Sequence, residues 1–291
     1  MTAQKPVKLI ECPRDAMQGI HDFIDTDLKA AYINLLLQVG FDTIDFGSFV
    51  SPKAIPQLRD TADVLSKLDL SNTPSKLLAI VANLRGAEEA ASHPEISYLG
   101  FPFSISETFQ QRNTNSTIAQ SLDTVKSLLD VCDRTNKTAV IYLSMGFGNP
   151  YGDEWNTEIV ERWADKLIGH GAKILALSDT TGVSTPEKIK EIVPPLIRRF
   201  ENPAKGVEIG LHLHSTPYTR FEKIEAAYES GCRRYDSALK GFGGCPMAAD
   251  DLTGNMATED LISYLNSKDE PLGLNMEKWQ EAVAYAAKVF L

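Results

Sequence analysis

The sequence predicts an α/β fold, a (β/α)8 TIM barrel with extra C-terminal helices. Short apolar runs alternate with longer segments of helical period along the 291 residues, a pattern typical of parallel strands joined by helices. Polar residues able to serve a site follow nearly every apolar run. A closed barrel gathers such residues from all its strands, whereas a doubly wound open sheet, the main alternative, concentrates them at one switch point. The sequence therefore favours the barrel, in a single domain spanning residues 1–291.

The predicted strands and helices alternate in chain order. The candidate strands are Val7–Ile10, Thr43–Phe46, Lys76–Val81, Tyr98–Phe103, Ala139–Leu143, Ile174–Leu177, Val207–His212 and Arg234–Ser237. Amphipathic segments that predict helices between them include Asp25–Val39, Ile118–Cys132, Thr157–His170, Pro186–Phe200 and Arg220–Ser230. Two further helical segments, Thr258–Asn266 and Met276–Leu291, follow the last strand.

Composition limits the possible classes of function. The net charge of −10 argues against general nucleic-acid binding. No segment approaches the roughly 18 consecutive apolar residues of a membrane helix. Residues 1–6 show neither a secretory nor a transit pattern, so we expect a cytoplasmic protein that acts on a small molecule. The cysteines are widely spaced and form no CxxC pair, which favours reduced thiols over disulfides or a structural zinc site.

A histidine pair and two oxygen donors are candidate metal ligands. His212 and His214 lie two residues apart at the end of a predicted strand, so both side chains face the same side. Asp15 follows the first strand, which adjoins the seventh and eighth strands in a closed barrel, and Asn255 would add a neutral oxygen. Such a set suits magnesium or manganese and, less well, zinc. The ordinary alternatives are histidines satisfied by their neighbours, an aspartate that caps a turn or pairs with Arg14, and a turn asparagine.

A glycine-rich segment carries the most unusual thiol of the chain. Cys245 lies within residues 241–248, where glycines permit close backbone approach or a mobile loop. A thiol there could donate or remove a proton at carbon. The alternative is an inert buried cysteine, which is our interpretation of Cys12, Cys132 and Cys232.

Charged residues after other strands are further candidates. Arg14 keeps its charge under all conditions and could stabilise an enolate or carboxylate oxygen, or simply lie on the surface. Asp45 ends the second strand and could orient Arg14 or the substrate, or cap the next helix. Asp179 and Thr180 follow the sixth strand and allow the same two interpretations.

Taken in order, these motifs resemble those of the 3-hydroxy-3-methylglutaryl-CoA lyase family, metal-dependent TIM-barrel lyases related to the isopropylmalate and homocitrate synthases. The resemblance runs from Glu11 to about Tyr264. It rests on Pro13-Arg14-Asp15 with Gln18, Ser48–Lys53 with Pro56-Gln57, Asn83–Gly86, Ser106–Phe109 with Asn113, Asp179–Val183 with Thr185-Pro186, His212–His214, Gly241–Ala248, and Gly254-Asn255 with Ala257–Asp260.

The resemblance implies a homodimeric, divalent-metal-dependent lyase that cleaves 3-hydroxy-3-methylglutaryl-CoA, or a closely related 3-hydroxyacyl-CoA, to acetyl-CoA and acetoacetate. The implied metal ligands are Asp15, His212, His214 and Asn255. The implied catalytic residues are Arg14 on the enolate, His212 at the hydroxyl proton, Cys245 as proton donor, and Asp45. The implied substrate contacts are Arg14, Gln18, Ser48, Asp179 and Thr180.

Several positions depart from the family pattern. They are Gly19-Ile20-His21 for Asn-Glu-Lys, Asp45 for glutamate, Gly148–Asp153 with Asn149 for Gly-Cys-Pro-Tyr-Glu-Gly, Ser215-Thr216 for Asp-Thr, and Met247 for tyrosine. A related acyl-CoA or 3-hydroxy acid is therefore an open alternative as substrate. Two other hypotheses are a condensing enzyme that adds acetyl-CoA to a 2-oxo acid, and a catalytically lapsed barrel that binds a CoA ester or a protein. Retention of Cys245 and the absence of a C-terminal regulatory domain favour the lyase.

Overall fold

Eight parallel strands close into a barrel in the computed structural model, which describes residues 5–201, 206–244 and 253–290. The barrel strands are β1 (Lys8–Glu11), β2 (Thr43–Ser48), β3 (Lys76–Ile80), β4 (Ile96–Ser104), β5 (Thr138–Ser144), β6 (Ile174–Ser178), β7 (Glu208–His212) and β9 (Arg234–Ser237). Strand β9 pairs with both β7 and β1, which closes the sheet. Each predicted strand overlaps one barrel strand, and the predicted (β/α)8 barrel is confirmed.

Helices connect the strands and follow the barrel. They are α1 (Pro13–Gln18), α2 (Thr26–Val39), α3 (Thr61–Leu65), α4 (Leu84–Ala91), α5 (Glu107–Thr114), α6 (Ile118–Thr135), α7 (Thr157–Gly169), α8 (Pro186–Phe200), α9 (Arg220–Glu229), α10 (Thr258–Ser267) and α11 (Met276–Phe290). The sequence analysis missed α1, α3, α4 and α5, which are too short to show a helical period. The extra C-terminal helices, α10 and α11, are as predicted. Within the described residues, no helix combines the length and apolar character needed to cross a membrane.

Side chains alternate between two apolar layers because successive residues of a strand face opposite sides. The larger layer fills the space between the strands and the helices and includes Leu77 and Leu99. The smaller layer fills the barrel interior and includes Leu78 and Val140. Gly100 keeps this interior closely packed, since a Cβ atom there would lie 2.5 Å from Cδ1 of Ile80. The packed interior leaves the strand ends as the place for a site.

A short ribbon lies beyond the C-terminal end of β7. It consists of β8 (His214–Ser215) and β10 (Gly254–Asn255), which pair antiparallel with His214 opposite Asn255. The chain at the end of α11 packs against α2, where Phe290 meets Tyr32 edge to face with ring centroids 5.7 Å apart. The ribbon matters for function because it fixes two predicted metal ligands beside each other.

Candidate metal and catalytic site

Arg14 and the four predicted metal ligands meet at the C-terminal ends of the barrel strands. Helix α1 begins directly after β1 with Pro13 in its first turn, where the missing N–H of proline costs nothing. That turn carries Arg14 and Asp15 over the barrel mouth, and both are buried. His212 ends β7, and His214 follows two residues later in the ribbon. The site is therefore assembled from elements far apart in sequence.

Three of the predicted metal ligands form one compact cluster. Ligand atoms of Asp15, His212 and His214 all lie within 4.8 Å of one another. Nδ2 of Asn255 donates to Oδ2 of Asp15 at 2.6 Å, so the fourth predicted ligand touches the same carboxylate. Nε2 of His214 is buried and has no hydrogen-bond partner among the residues that the structure describes. A buried, unsatisfied imidazole nitrogen beside a carboxylate fits a divalent cation.

A guanidinium group connects this cluster to strand β2. Arg14 donates from Nε and Nη2 to Oδ2 of Asp45 at 3.0 and 2.6 Å, and from Nη1 to Oδ1 of Asp15 at 2.8 Å. Gln18 completes the network, because its Oε1 accepts from Nη1 of Arg14 and its Nε2 donates to Asp15, both at 2.8 Å. Arg14 is therefore held between two carboxylates in a fixed orientation, not left mobile at the surface.

The two carboxylates beside Arg14 have opposite pKa shifts. Burial raises the pKa of Asp45 to about 6, since desolvation outweighs the lowering effect of Arg14. Burial also opposes ionisation of Asp15, but the charges of Arg14 and His212 outweigh it and hold the pKa of Asp15 at about 2. Asp15 thus stays ionised at neutral pH, as a metal ligand must.

The pKa values of the two histidines are also shifted in opposite directions. Burial lowers the pKa of His214 to about 4, with the nearby His212 adding to the effect. His214 is therefore neutral at pH 7 and able to coordinate. For His212, burial lowers the pKa but the hydrogen bond to Asp236 more than offsets it, so the pKa is raised. Nδ1 of His212 lies 3.2 Å from Oδ2 of Asp236 on β9, which fixes the ring and leaves Nε2 for a second partner.

The glycine-rich segment begins in direct contact with the cluster. Gly243 has φ +89°, and a Cβ atom there would lie 2.6 Å from the backbone oxygen of Asp15 and 2.8 Å from Nδ2 of Asn255. Only glycine fits such a close crossing. The carbonyl oxygen of Phe242 accepts from Nδ2 of Asn255 at 2.8 Å. Cys245 itself lies outside the described residues, and its catalytic role stays a prediction.

The predicted substrate residues occupy different surroundings. Gln18 belongs to the Arg14 network, while the hydroxyl groups of Ser48 and Thr180 accept from the N–H groups of neighbouring backbone. Asp179 is buried, accepts from Nζ of Lys223 at 3.0 Å, and also accepts from the backbone N–H and the hydroxyl group of Ser184. Substrate contact by these four residues stays a prediction.

Three site residues were missed by the sequence analysis. Asp236 holds His212, and Tyr142 on β5 meets the His212 ring edge to face at 5.7 Å. Lys223 on α9 is buried and donates to the backbone oxygen of His214 at 2.8 Å. A carboxylate inside a strand and a lysine on the apolar face of a helix were the available signals. Cys12, which the sequence analysis assigned to the core, is buried, and Cys12, His212 and Asp236 form a second close group of ligand atoms.

Comparisons with known proteins identify a family for this arrangement. A family model described as HMGL-like matches residues 7–285. The hydroxymethylglutaryl-CoA lyase YngG of Bacillus subtilis is 34% identical over 273 residues, covering 94% of this chain and 89% of that protein. The cytoplasmic 3-hydroxy-3-methylglutaryl-CoA lyase of Homo sapiens is 32% identical over 286 residues, covering 97% of this chain and 75% of that protein.

Solved structures give the same result. An HMG-CoA lyase from Acinetobacter baumannii, in complex with coenzyme A and 3-methylmalate, superposes with a TM-score of 0.89 at 29% identity, covering 98% of this chain and 91% of that one. The HMG-CoA lyase of Bacillus subtilis superposes with a TM-score of 0.89 at 33% identity, covering 99% of this chain and 95% of that one.

Proposed function

This chain belongs to the HMGL-like family, and from that premise we propose that it is a divalent-metal-dependent lyase that cleaves 3-hydroxy-3-methylglutaryl-CoA, or a closely related 3-hydroxyacyl-CoA, to acetyl-CoA and acetoacetate. The observation that carries the proposal is the convergence of Asp15, His212 and His214 within 4.8 Å beside the Arg14 network. The presence of both groups of buried charge speaks against a catalytically lapsed barrel.

The donor set supports magnesium or manganese, with zinc less favoured. Asp15, His212, His214 and Asn255 offer a carboxylate, two imidazoles and an amide, a mixture with oxygen donors that suits these two ions. When bound, the cation polarises the oxygen atoms of the substrate and lowers the energy of developing negative charge. The neutral state of His214 and the ionised state of Asp15 at pH 7 are the protonation states that coordination requires.

Two residues of the chain handle the start of the reaction. His212, held by Asp236, assists removal of the proton from the C3 hydroxyl group of the substrate. As the C3–O bond becomes a ketone, the C2–C3 bond breaks and its electron pair passes to C2 and the thioester oxygen of the acetyl-CoA enolate. Arg14 faces this developing charge, and its two-point contact with Asp45 keeps the guanidinium from swinging away.

The reaction ends with a proton returned to carbon. The thiol of Cys245 donates it to C2 of the enolate, which releases acetyl-CoA, and acetoacetate leaves as the second product. Gly243 supports this role because its backbone crosses the cluster with no room for a side chain, so the segment leading to Cys245 starts at the site.

The substrate is proposed to be an acyl-CoA because the similar structure from Acinetobacter baumannii is a complex with coenzyme A. The test is an assay of acetyl-CoA release with Mg²⁺ or Mn²⁺ and a panel of 3-hydroxyacyl-CoA esters. We expect cleavage of 3-hydroxy-3-methylglutaryl-CoA or a near relative, abolished by EDTA and restored by either cation. Metal-dependent condensation of acetyl-CoA with a 2-oxo acid, without cleavage of any ester in the panel, would favour the condensing enzyme instead.

We also propose that the protein is a cytoplasmic homodimer that folds as a single domain over residues 1–291. Support comes from the family resemblance for the dimer and from the continuous barrel for the single domain. Light scattering after size-exclusion chromatography measures the mass directly, and a mass of one chain would contradict the dimer.

A further inference from the structure

Glu11 is a fully buried carboxyl group that the proposed mechanism does not use. It ends β1 and is 0% exposed. Its Oε1 accepts from the backbone N–H of Leu239 at 2.8 Å, and its Oε2 lies 2.6 Å from Oγ1 of Thr258. In the described part of the chain, no lysine, arginine or histidine forms an ion pair with it. A buried acid without a cation needs another reason to be there.

The two partners of Glu11 stand on either side of the glycine-rich segment. Leu239 begins the 3-10 turn Leu239–Gly241, which leads into that segment. Thr258 is the first residue of α10, which follows it. One carboxyl group therefore joins the chain that enters residues 242–257 to the chain that leaves them. The backbone N–H of Thr258 also donates to the oxygen of Ala238 at 3.1 Å, which closes the base of the segment.

The segment held at this base reaches the metal cluster through two contacts. The carbonyl oxygen of Phe242 accepts from Asn255, and the backbone at Gly243 crosses directly over Asp15. Any shift of the base would therefore move Asn255 relative to Asp15, whose side chains are only 2.6 Å apart.

We propose that Glu11 is a positioning residue that clamps both ends of the glycine-rich segment and thereby sets the geometry of Asn255 and Asp15 in the metal cluster. The expected change in kcat rests on the proposed lyase function. The expected change in metal affinity does not, because it can be measured without turnover. Among the described residues, Glu11 forms no hydrogen bond or ion pair with the cluster or with a residue assigned to a step of the reaction, so it acts through Leu239 and Thr258.

Burial favours the neutral acid form of Glu11, and its hydrogen bonds are compatible with that form. Burial raises the pKa of Glu11 to about 8, against the lowering effect of its bonds to Thr258 and Leu239. Oγ1 of Thr258 also lies 2.9 Å from Oγ of Ser237, so Glu11, Thr258 and Ser237 form one hydrogen-bonded chain. A protonated Glu11 satisfies this chain by donating to Thr258, which then donates to Ser237. Glutamine reproduces the same pattern with its amide and is the conservative substitution.

The test compares Glu11→Gln with Glu11→Leu, which keeps the approximate size but removes both hydrogen bonds. Val125→Ala, a core substitution in α6 far from the site, is the control for lost stability. We expect Glu11→Leu to weaken Mn²⁺ binding roughly 10–100-fold, as outer contacts of metal ligands do, and to lower kcat by a similar factor. Glu11→Gln should stay within about 3-fold of the parent in both. Calorimetry gives the Mn²⁺ Kd without substrate, and thermal unfolding gives Tm.

A purely structural role of Glu11 predicts a different set of results. If Glu11→Leu and Val125→Ala lower Tm alike and both keep the parental Mn²⁺ Kd and kcat, the proposal is wrong. If Glu11→Gln binds Mn²⁺ as weakly as Glu11→Leu does, the clamp does not depend on these hydrogen bonds and the proposal is wrong. Should Glu11→Leu fail to fold, Thr258→Val removes one of the two bonds and should still weaken Mn²⁺ binding, by about 3–10-fold. Parental Mn²⁺ affinity in that variant would also overturn the proposal. A parent that binds Mn²⁺ but cleaves no ester refutes the lyase function and leaves the affinity test valid.

Discussion

The two halves of the barrel interior differ in what their side chains do. Strands β1, β2, β7 and β9 and the elements after them carry the interacting charges, which include Asp45, His212 and Asp236. Strands β3 to β6 line the interior mainly with apolar groups. These are Leu78, Ile80, Tyr98, Val140, Tyr142, Ile174 and Ala176. We call these the charged half and the apolar half.

The difference shows how a barrel can bury several charges. Charged groups on adjacent strands are close enough to compensate one another, as Arg14 does for Asp15 and Asp45. The apolar half excludes water from the opposite side and so strengthens each of these interactions. The large pKa shifts of Asp15, Asp45 and His214 all occur on the charged half, which agrees with this division.

The largest expected effect comes from Cys245→Ala. Loss of the proton donor should lower kcat roughly 10²–10⁴-fold while the fold is kept. In the parent, limited alkylation followed by mass mapping should label Cys245 first, with activity lost in parallel and protection by an acyl-CoA. The three other cysteines are matched controls, since burial raises the pKa of Cys132 and Cys232 to about 12. Activity that follows a label on Cys12, Cys132 or Cys232 would contradict the assignment.

Substitution of Arg14 should be nearly as severe. Arg14→Met should lower kcat roughly 10²–10³-fold because the enolate loses its partner. It also leaves Asp45 without a cation, so circular dichroism must accompany the kinetics. Arg14→Lys keeps the charge but loses the two-point contact and should recover little activity. Parental kcat in the lysine variant would show that Arg14 is not catalytic, and Arg59→Lys, an exposed position, is the matched control.

The pH dependence of stability should identify Glu11 as a buried acid. Its pKa is about 8 in the folded chain against 4.5 for a glutamate in water, so its contribution is fully present below about pH 4.5 and is lost as the pH rises through 8. The free energy of unfolding in urea should therefore fall on the order of 2–3 kcal/mol more between pH 5.5 and 8.5 in the parent than in Glu11→Gln. Equal pH slopes in the two proteins would mean that Glu11 is not buried as an acid.

Asp236→Asn tests the support of His212 on the charged half. Without the carboxylate, the imidazole loses its orientation and part of its basicity, so the Mn²⁺ Kd should rise roughly 10–100-fold. Calorimetry with Mn²⁺ measures it, and Asp165→Asn, an exposed carboxylate on α7, should leave the Kd unchanged. An unchanged Kd in Asp236→Asn would show that the contact to His212 does not support metal binding.

The smallest effect should come from the apolar half. Ile80→Val removes one buried methylene group and should lower the free energy of unfolding by about 1 kcal/mol, measured in urea. Because Ile80 packs within the apolar cluster of the interior, kcat should stay within about 2-fold of the parent. A large loss of kcat with little loss of stability would mean that the apolar half contacts the substrate directly.

Much of the fold could be predicted because it depends on local patterns. The eight strands and seven of the helices follow from hydrophobic period and length, and each predicted strand overlaps an observed one. The shared direction of His212 and His214 follows from the alternation of side chains along one extended segment. The short helices α3 and α5 were not predicted because one or two turns contain too few residues to show a helical period.

Local patterns and ordered motifs were thus enough to give the order of the elements and the family. They also suggested the candidate metal ligands and Arg14, whose roles stay predictions. Only the folded barrel determines which of these groups are in contact. Asp236 meets His212 across 24 residues because β7 pairs with β9. Glu11 meets Thr258 across 247 residues because the barrel closes and brings β9 and α10 back to β1. The hydrophobic period of a local segment does not predict such contacts between distant residues. The pKa values of Glu11, Asp45 and Asp15 depend on burial and on those distant neighbours, so the protonation states of the site belong to the fold.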